Sequence, residues 1–95
     1  MSIARVNSVE FETKEDCDHR LQMVSQERYV NERAECIITI RTSETSILGI
    51  AIFADQETAD ETLAEREKVI SSTPYKDVFY LEGNVDRFQI NKRIY

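Results

Sequence analysis

The sequence predicts an α+β fold: a four-stranded antiparallel sheet carrying two helices on one face, with the other face left for a second copy of the chain. Three observations lead there. Strand-like and helix-like segments alternate in the order β-α-β-β-α-β along the 95 residues. The middle pair is a hairpin, Glu35 to Asp55, whose second half from Ile47 to Ala54 contains no charge and is apolar at both parities. A strand of that kind belongs in a sheet covered on both sides. Right-handed crossovers put both helices on the same face, so a second subunit is the expected cover for the other.

Bulk properties bound the function. A chain of this length suits one domain, residues 1–95, whose small core makes a subunit interface a useful further source of apolar burial. Hydrophobic residues at 41% and charged residues at 32% are the balance of a folded soluble domain, not of a disordered tail. A net charge of −6 argues against nucleic acid as a partner, because phosphates are neutralised by basic patches. The terminal Asn91-Lys92-Arg93 reads as a solvated tail. Cys17 and Cys36 have no Cys-x-x-Cys spacing and no nearby histidine cluster, so no metal is expected and both read as small apolar side chains. The opening Met-Ser-Ile-Ala-Arg-Val has no signal-peptide core, and no run reaches membrane-spanning length. The expectation is a cytoplasmic protein with no membrane partner.

The elements follow in order. In Ile3 to Thr13, Val9 and Phe11 alternate with Glu10 and Glu12, while Ala4 and Val6 hold the opposite parity. This predicts a strand with both faces partly covered, or one with a bulge near Asn7 and Ser8. Thr13, with Asp16 three residues later, is an N-cap signal. The helix it opens carries Cys17, Leu21, Val24 and the stem of Arg28 on one face, an Asp16–Arg20 pair on its exposed side, and a C-terminal cap near Asn31. In the hairpin, Cys36, Ile38 and Ile40 form an apolar parity and Ile37, Thr39 and Arg41 a mixed one. Gly49 marks a bulge or a close backbone approach. Asp55 caps a second helix, acidic at its start and basic later, with Ala59, Leu63, the stem of Arg66 and Ile70 inward and Val69 beside them. Pro74 ends it. Gly83-Asn84 is expected to divide the remainder into a short extended piece and a last strand bearing Phe88 and Ile90.

This order, with a central hairpin, is the split βαβ or ferredoxin-like pattern. From Ile3 to about Ile90 the chain resembles the dimeric α/β-barrel proteins related to antibiotic-biosynthesis monooxygenases. The resemblance rests on Gly49-Ile-Ala-Ile-Phe-Ala-Asp running into the acidic Gln56-Glu-Thr-Ala-Asp, on Glu82-Gly83-Asn84-Val85 as a turn into the last strand, and on Asn7 in the first strand. It implies a homodimer with two sheets facing each other and a pocket in each subunit between sheet and helices. It also implies cofactor-independent oxygenation of an aromatic substrate or, in one branch, haem degradation. Members that do this chemistry pair the first-strand asparagine with tryptophan, and the haem-degrading kind adds a histidine. This chain has no tryptophan, and its single histidine, His19, lies off the apolar stripe of the first helix.

Other chemistry is missing from the sequence. There is no Gly-x-Ser-x-Gly elbow, and two glycines far apart cannot form a phosphate-cradling loop. Glu57, Asp60, Glu61 and Glu65 repeat as a solvated helix face. The candidates are therefore Asn7 as a catalytic residue and Tyr29, Tyr75 and Tyr80 as ligand-binding residues, each tyrosine offering an apolar wall with a hydroxyl. The leading expectation is a small dimeric barrel that binds an apolar or aromatic molecule without a catalytic set and without a cofactor. The alternatives are a monooxygenase-like enzyme using Asn7 with Tyr75 or Tyr80, and a ligand-sensing regulatory domain.

Overall fold

The computed structural model describes residues 2–24, 26, 32–71 and 75–91, apart from the side chains at 65, 66 and 68–71. Strand β1 (Ile3–Glu10) is followed by helix α1 (Lys14–Val24), strands β2 (Cys36–Ser43) and β3 (Ser46–Phe53), helix α2 (Gln56–Ser71) and strand β4 (Asp77–Asn84). The sheet order is β2-β3-β1-β4, antiparallel throughout, as the ferredoxin-like pattern requires. Among the described residues no helix is long and apolar enough to cross a membrane.

Residues opposite one another in an antiparallel ladder share a face. Ile3, Arg5, Asn7 and Val9 of β1 and Phe11 just beyond it are all buried, and with Ile47, Ala51 and Phe53 they form the face under the helices. Two apolar clusters hold the helices there. Ala59 of α2 packs with Ile3, Ala51 and Phe53, while Cys17 of α1 packs with Val9, Phe11 and Ile47, joined by Leu21 and Val78. Both cysteines are free thiols, and burial pushes the Cys17 thiol upward, which makes it a packing group and a poor nucleophile. Both caps form as the sequence predicts. Thr13 Oγ1 accepts from the Asp16 amide at 3.1 Å, and Asp55 Oδ1 accepts from the Thr58 amide at 2.8 Å.

The opposite face carries Val6, Leu48, Ile50 and Ile52, each half-buried, flanked by Ile38 and Ile40 at 42% exposure and by Phe79 and Leu81 at 58% and 57%. No helix covers it among the described residues.

Several expectations need correction. Register between β1 and β3 is uninterrupted through Asn7 and Ser8, so β1 is the strand with two partly covered faces and has no bulge. The ladder is also regular at Gly49; the irregularity falls in β2 between Arg41 and Ser43, where the hairpin turns. There Arg41 donates to the carbonyls of Ser43 and Glu44 and, at 2.6 Å, to Asp18 on α1. Helix α1 spans Lys14–Val24, and beyond it the Gln26 amide bonds to the Met23 carbonyl. Arg28 and Asn31 lie outside the described residues, as do Pro74 and the side chains of Arg66, Val69 and Ile70. Arg20 is buried, and the exposed i,i+4 ion pair of α1 is Lys14–Asp18 at 3.0 Å.

The largest correction concerns the end of the chain. Gly83 and Asn84 do not break the segment. Strand β4 passes through both and pairs with β1 along its whole length, from Asp77 opposite Glu10 to Asn84 opposite Ile3. Pairing continues one step further, from the Val85 amide to the Ser2 carbonyl at 2.8 Å. With β3 on its other side, β1 then has no free edge. Residues 85–91 adopt no regular structure, leaving Phe88 and Ile90 more than half exposed.

Candidate functional site

Under the helices the side chains stand in rows across the sheet. The rows of Ile3 and of Val9 are apolar at β1 and β3, with Asn84 ending the first and Arg41 the second. Between them lie two rows that are not: Ile37–Ala51–Arg5–Glu82 and, next to it, Thr39–Gly49–Asn7–Tyr80. The core is thus two apolar clusters separated by a polar band. Its sequence signal is present in β1, where Arg5 and Asn7 occupy the same parity as Ile3, Val9 and Phe11.

Asn7 is 3% exposed, and among the described residues its Nδ2 has no hydrogen-bond partner. An unsatisfied buried amide donor costs about 1–3 kcal/mol. Gly49 beside it places no side chain on the sheet, and Tyr80 stands opposite on β4. Tyr80 is 41% exposed and Tyr75, before the start of β4, is 42% exposed. The structure therefore brings Asn7 and Tyr80 together in register and leaves Tyr75 off the ladder; Tyr29 lies outside the described residues. His19 is exposed on α1.

The adjacent row is organised by Arg5, which sequence reasoning did not single out. Its guanidinium, 4% exposed, donates from Nε and Nη2 to Glu82 Oε2 at 3.1 and 2.7 Å and from Nη1 to the Ala59 carbonyl of α2 at 2.8 Å. It also lies 5.7 Å from the centroid of the Phe53 ring, within cation–π range. The other carboxylate oxygen, Oε1, accepts from Gln56 Nε2 at 3.0 Å. Hydrogen bonds from Gln56 and then Arg5 hold the Glu82 carboxyl below its ordinary range, so it is ionised at neutral pH. Three elements, β1, β4 and α2, are tied together by this one pair. Glu82 is thus a strand residue in a buried-side network, where the sequence expectation placed it in a turn.

Beside the network a cleft of about 370 Å³ opens between the sheet and α2, lined by Arg5, Leu63, Glu67, Tyr80, Leu81 and Glu82. Apolar surface from Leu63 and the Tyr80 ring meets carboxylates and a phenol, while the Leu81 side chain belongs to the opposite sheet face. Volumes of this order admit a small organic molecule. Among the described residues, no group of three His, Cys, Asp or Glu side chains is close enough together to hold a metal ion.

No family model matches the sequence, and no curated protein matches it. The fold, in contrast, has many solved counterparts. It is similar to the NE2512 protein of unknown function from Nitrosomonas europaea, with a TM-score of 0.74 and 8% identity over 97% of this chain and 96% of that one. It is also similar to SnoaB, a cofactor-independent oxygenase from Streptomyces nogalater, with a TM-score of 0.69 and 10% identity over 96% and 98% of the two chains. A dimeric ferredoxin-like protein from an uncultured marine organism matches with a TM-score of 0.69 and 10% identity over 96% and 93%. The architecture is that of the ferredoxin-like proteins among which antibiotic-biosynthesis monooxygenases occur. At such identities the likeness is one of fold.

Proposed function

We propose that this protein is a homodimeric, single-domain α/β-barrel protein of the cytoplasm that binds a small aromatic molecule between its sheet and its helices, with Asn7 and Tyr80 as polar anchors. One observation carries the reading. The Asn7 amide is buried with an unpartnered donor in the polar band of the core, opposite a cleft-lining tyrosine. Proteins retain an unsatisfied buried group where a ligand completes it. The uncovered apolar sheet face supports the dimer, since patches of this kind on soluble chains mark interfaces. Two free thiols suit a reducing compartment.

The test combines affinity and stability. Asn7→Ala should weaken binding of a hydroxylated aromatic such as 1-naphthol about tenfold, the value of one net hydrogen bond, and leave the melting temperature unchanged or higher. A variant that melts earlier and binds as well as the parent would make Asn7 a structural residue. The placement of Asn7 beside Tyr80 also favours a second reading, a monooxygenase-like enzyme in which the substrate supplies the electrons. Oxygen uptake with anthrones or hydroquinones that disappears in Asn7→Ala would replace the first reading with the second. The binding reading expects no uptake.

A further inference from the structure

The ligand-binding reading leaves open which molecules the cleft accepts, and the network around Arg5 bears on that. Of the described residues lining the cleft, the charged ones are Arg5, Glu67 and Glu82. The positive charge is buried and already paired. Arg5 commits three of its five N–H donors, one each on Nε, Nη1 and Nη2, to Glu82 and the Ala59 carbonyl, and it is 4% exposed. Glu82 differs. Its side chain is 37% exposed, Oε2 takes both contacts from Arg5, and Oε1 takes one from Gln56. A carboxylate has about four lone-pair sites, so one acceptor position remains on Oε1. Arg5 and Gln56 hold the group in place, so little rotamer freedom is lost when a ligand bonds to it. Hydrogen bonding to both partners keeps it ionised. Glu67 adds a second carboxylate on the α2 wall. Asn7, whose Nδ2 has no partner among the described residues, does not line the cleft but stands opposite the lining Tyr80 on the same sheet face.

We propose that Glu82, positioned by Arg5 and Gln56, is the specificity-determining acceptor of the cleft: it selects aromatic molecules that carry a hydroxyl donor, and together with Glu67 it excludes carboxylate-bearing analogues. Both halves follow from the same geometry. A hydroxyl completes a charge-assisted hydrogen bond with a fixed carboxylate. A ligand carboxylate would face two negative groups while the buried cation is already paired, and like-charge juxtaposition is an effective way to reject a competitor. An unsubstituted hydrocarbon would bury the Leu63 and Tyr80 surfaces but leave the Oε1 position desolvated and unmet.

This inference rests on the binding reading, and calorimetric titration of the full chain with naphthalene, 1-naphthol and 1-naphthoate separates the two. Naphthol should bind at least tenfold tighter than naphthalene, and naphthoate weaker than either. Glu82→Gln should shrink the naphthol advantage to under threefold. Glu67→Gln, an exposed change that leaves the Arg5 pair intact, should narrow the gap between naphthoate and naphthalene without touching the naphthol advantage. Equal binding of all three by the parent protein overturns the selectivity and leaves the binding reading standing. The same holds for a naphthol advantage that survives Glu82→Gln in a variant shown by circular dichroism to be folded. Failure of all three probes to bind overturns both.

Discussion

Asn7 and Arg5 stand two residues apart on one strand and on one face, yet the structure treats them oppositely: Asn7 Nδ2 has no partner among the described residues, while the guanidinium of Arg5 makes three hydrogen bonds. Their substitutions should differ in sign. Asn7→Val removes an unmet donor from the core and should raise the urea midpoint by the equivalent of about 1 kcal/mol. The Arg5–Glu82 pair is asymmetric, with 4% and 37% of each side chain exposed. Removing Glu82 strands a buried cation, whereas removing Arg5 leaves a carboxylate that water can reach. Glu82→Ala should therefore cost on the order of 3 kcal/mol, and Arg5→Met clearly less, as read from denaturant unfolding of the two variants. The same pair sets an acid dependence. The folded-state pKa of Glu82 is depressed, so the unfolded chain binds the proton more readily. The stabilisation is present above the ordinary carboxylate pKa and is lost as pH falls through the folded value. Glu82→Gln should flatten the loss of stability between about pH 5 and pH 3. Asp18, held down by Lys14 and Arg41, and Asp55, held down by the Thr58 amide, titrate in the same direction and should retain their share in that variant.

The helices and strands follow local rules where local rules suffice. Thr13 and Asp55 cap α1 and α2 as their spacing implies, and replacing either with alanine should cost about 1 kcal/mol by chemical denaturation. Strand β3 is the apolar element that its composition announces, with Phe53 at 1% exposure on the helix side and Leu48, Ile50 and Ile52 half-buried on the other. Phe53→Ala should lose about 3–5 kcal/mol, enough to unfold a domain of this size at moderate temperature. Boundaries were less legible. Gly83 and Asn84 look like a break, because both residue types favour turns. They remain in β4 because the β1 edge offers eight partners in register, from Glu10 back to Ile3, and because a strand glycine with open space around it costs little. The Arg41 clamp on the hairpin turn is likewise invisible in the chain order, since it joins a β2 side chain to α1.

For the whole molecule, the decisive feature is a sheet with one face under helices and the other bearing Ile38, Ile40, Phe79 and Leu81 more than a third exposed. If that face meets a second copy, Ile50→Glu, in the middle of it, should shift sedimentation from dimer to monomer at micromolar concentration and lower the unfolding midpoint as well. A protein that sediments as a monomer without the substitution would remove the barrel, whatever the fold.

Hydrophobic periodicity and capping chemistry were enough to specify the order of elements, the antiparallel sheet and the two faces of β3, because each is set by residues close in sequence. Asn7 and Tyr80 were identifiable as polar groups on strand-like or tyrosine-bearing segments, but not as neighbours. Their pairing, the recruitment of Arg5, Glu82 and Gln56 into one network, and the cleft beside it depend on register between β1 and β4 and on where α2 lies across them. Those contacts join residues up to 77 positions apart. Chain closure over such distances is settled by the packing of the whole sheet against its helices, and no local pattern encodes it.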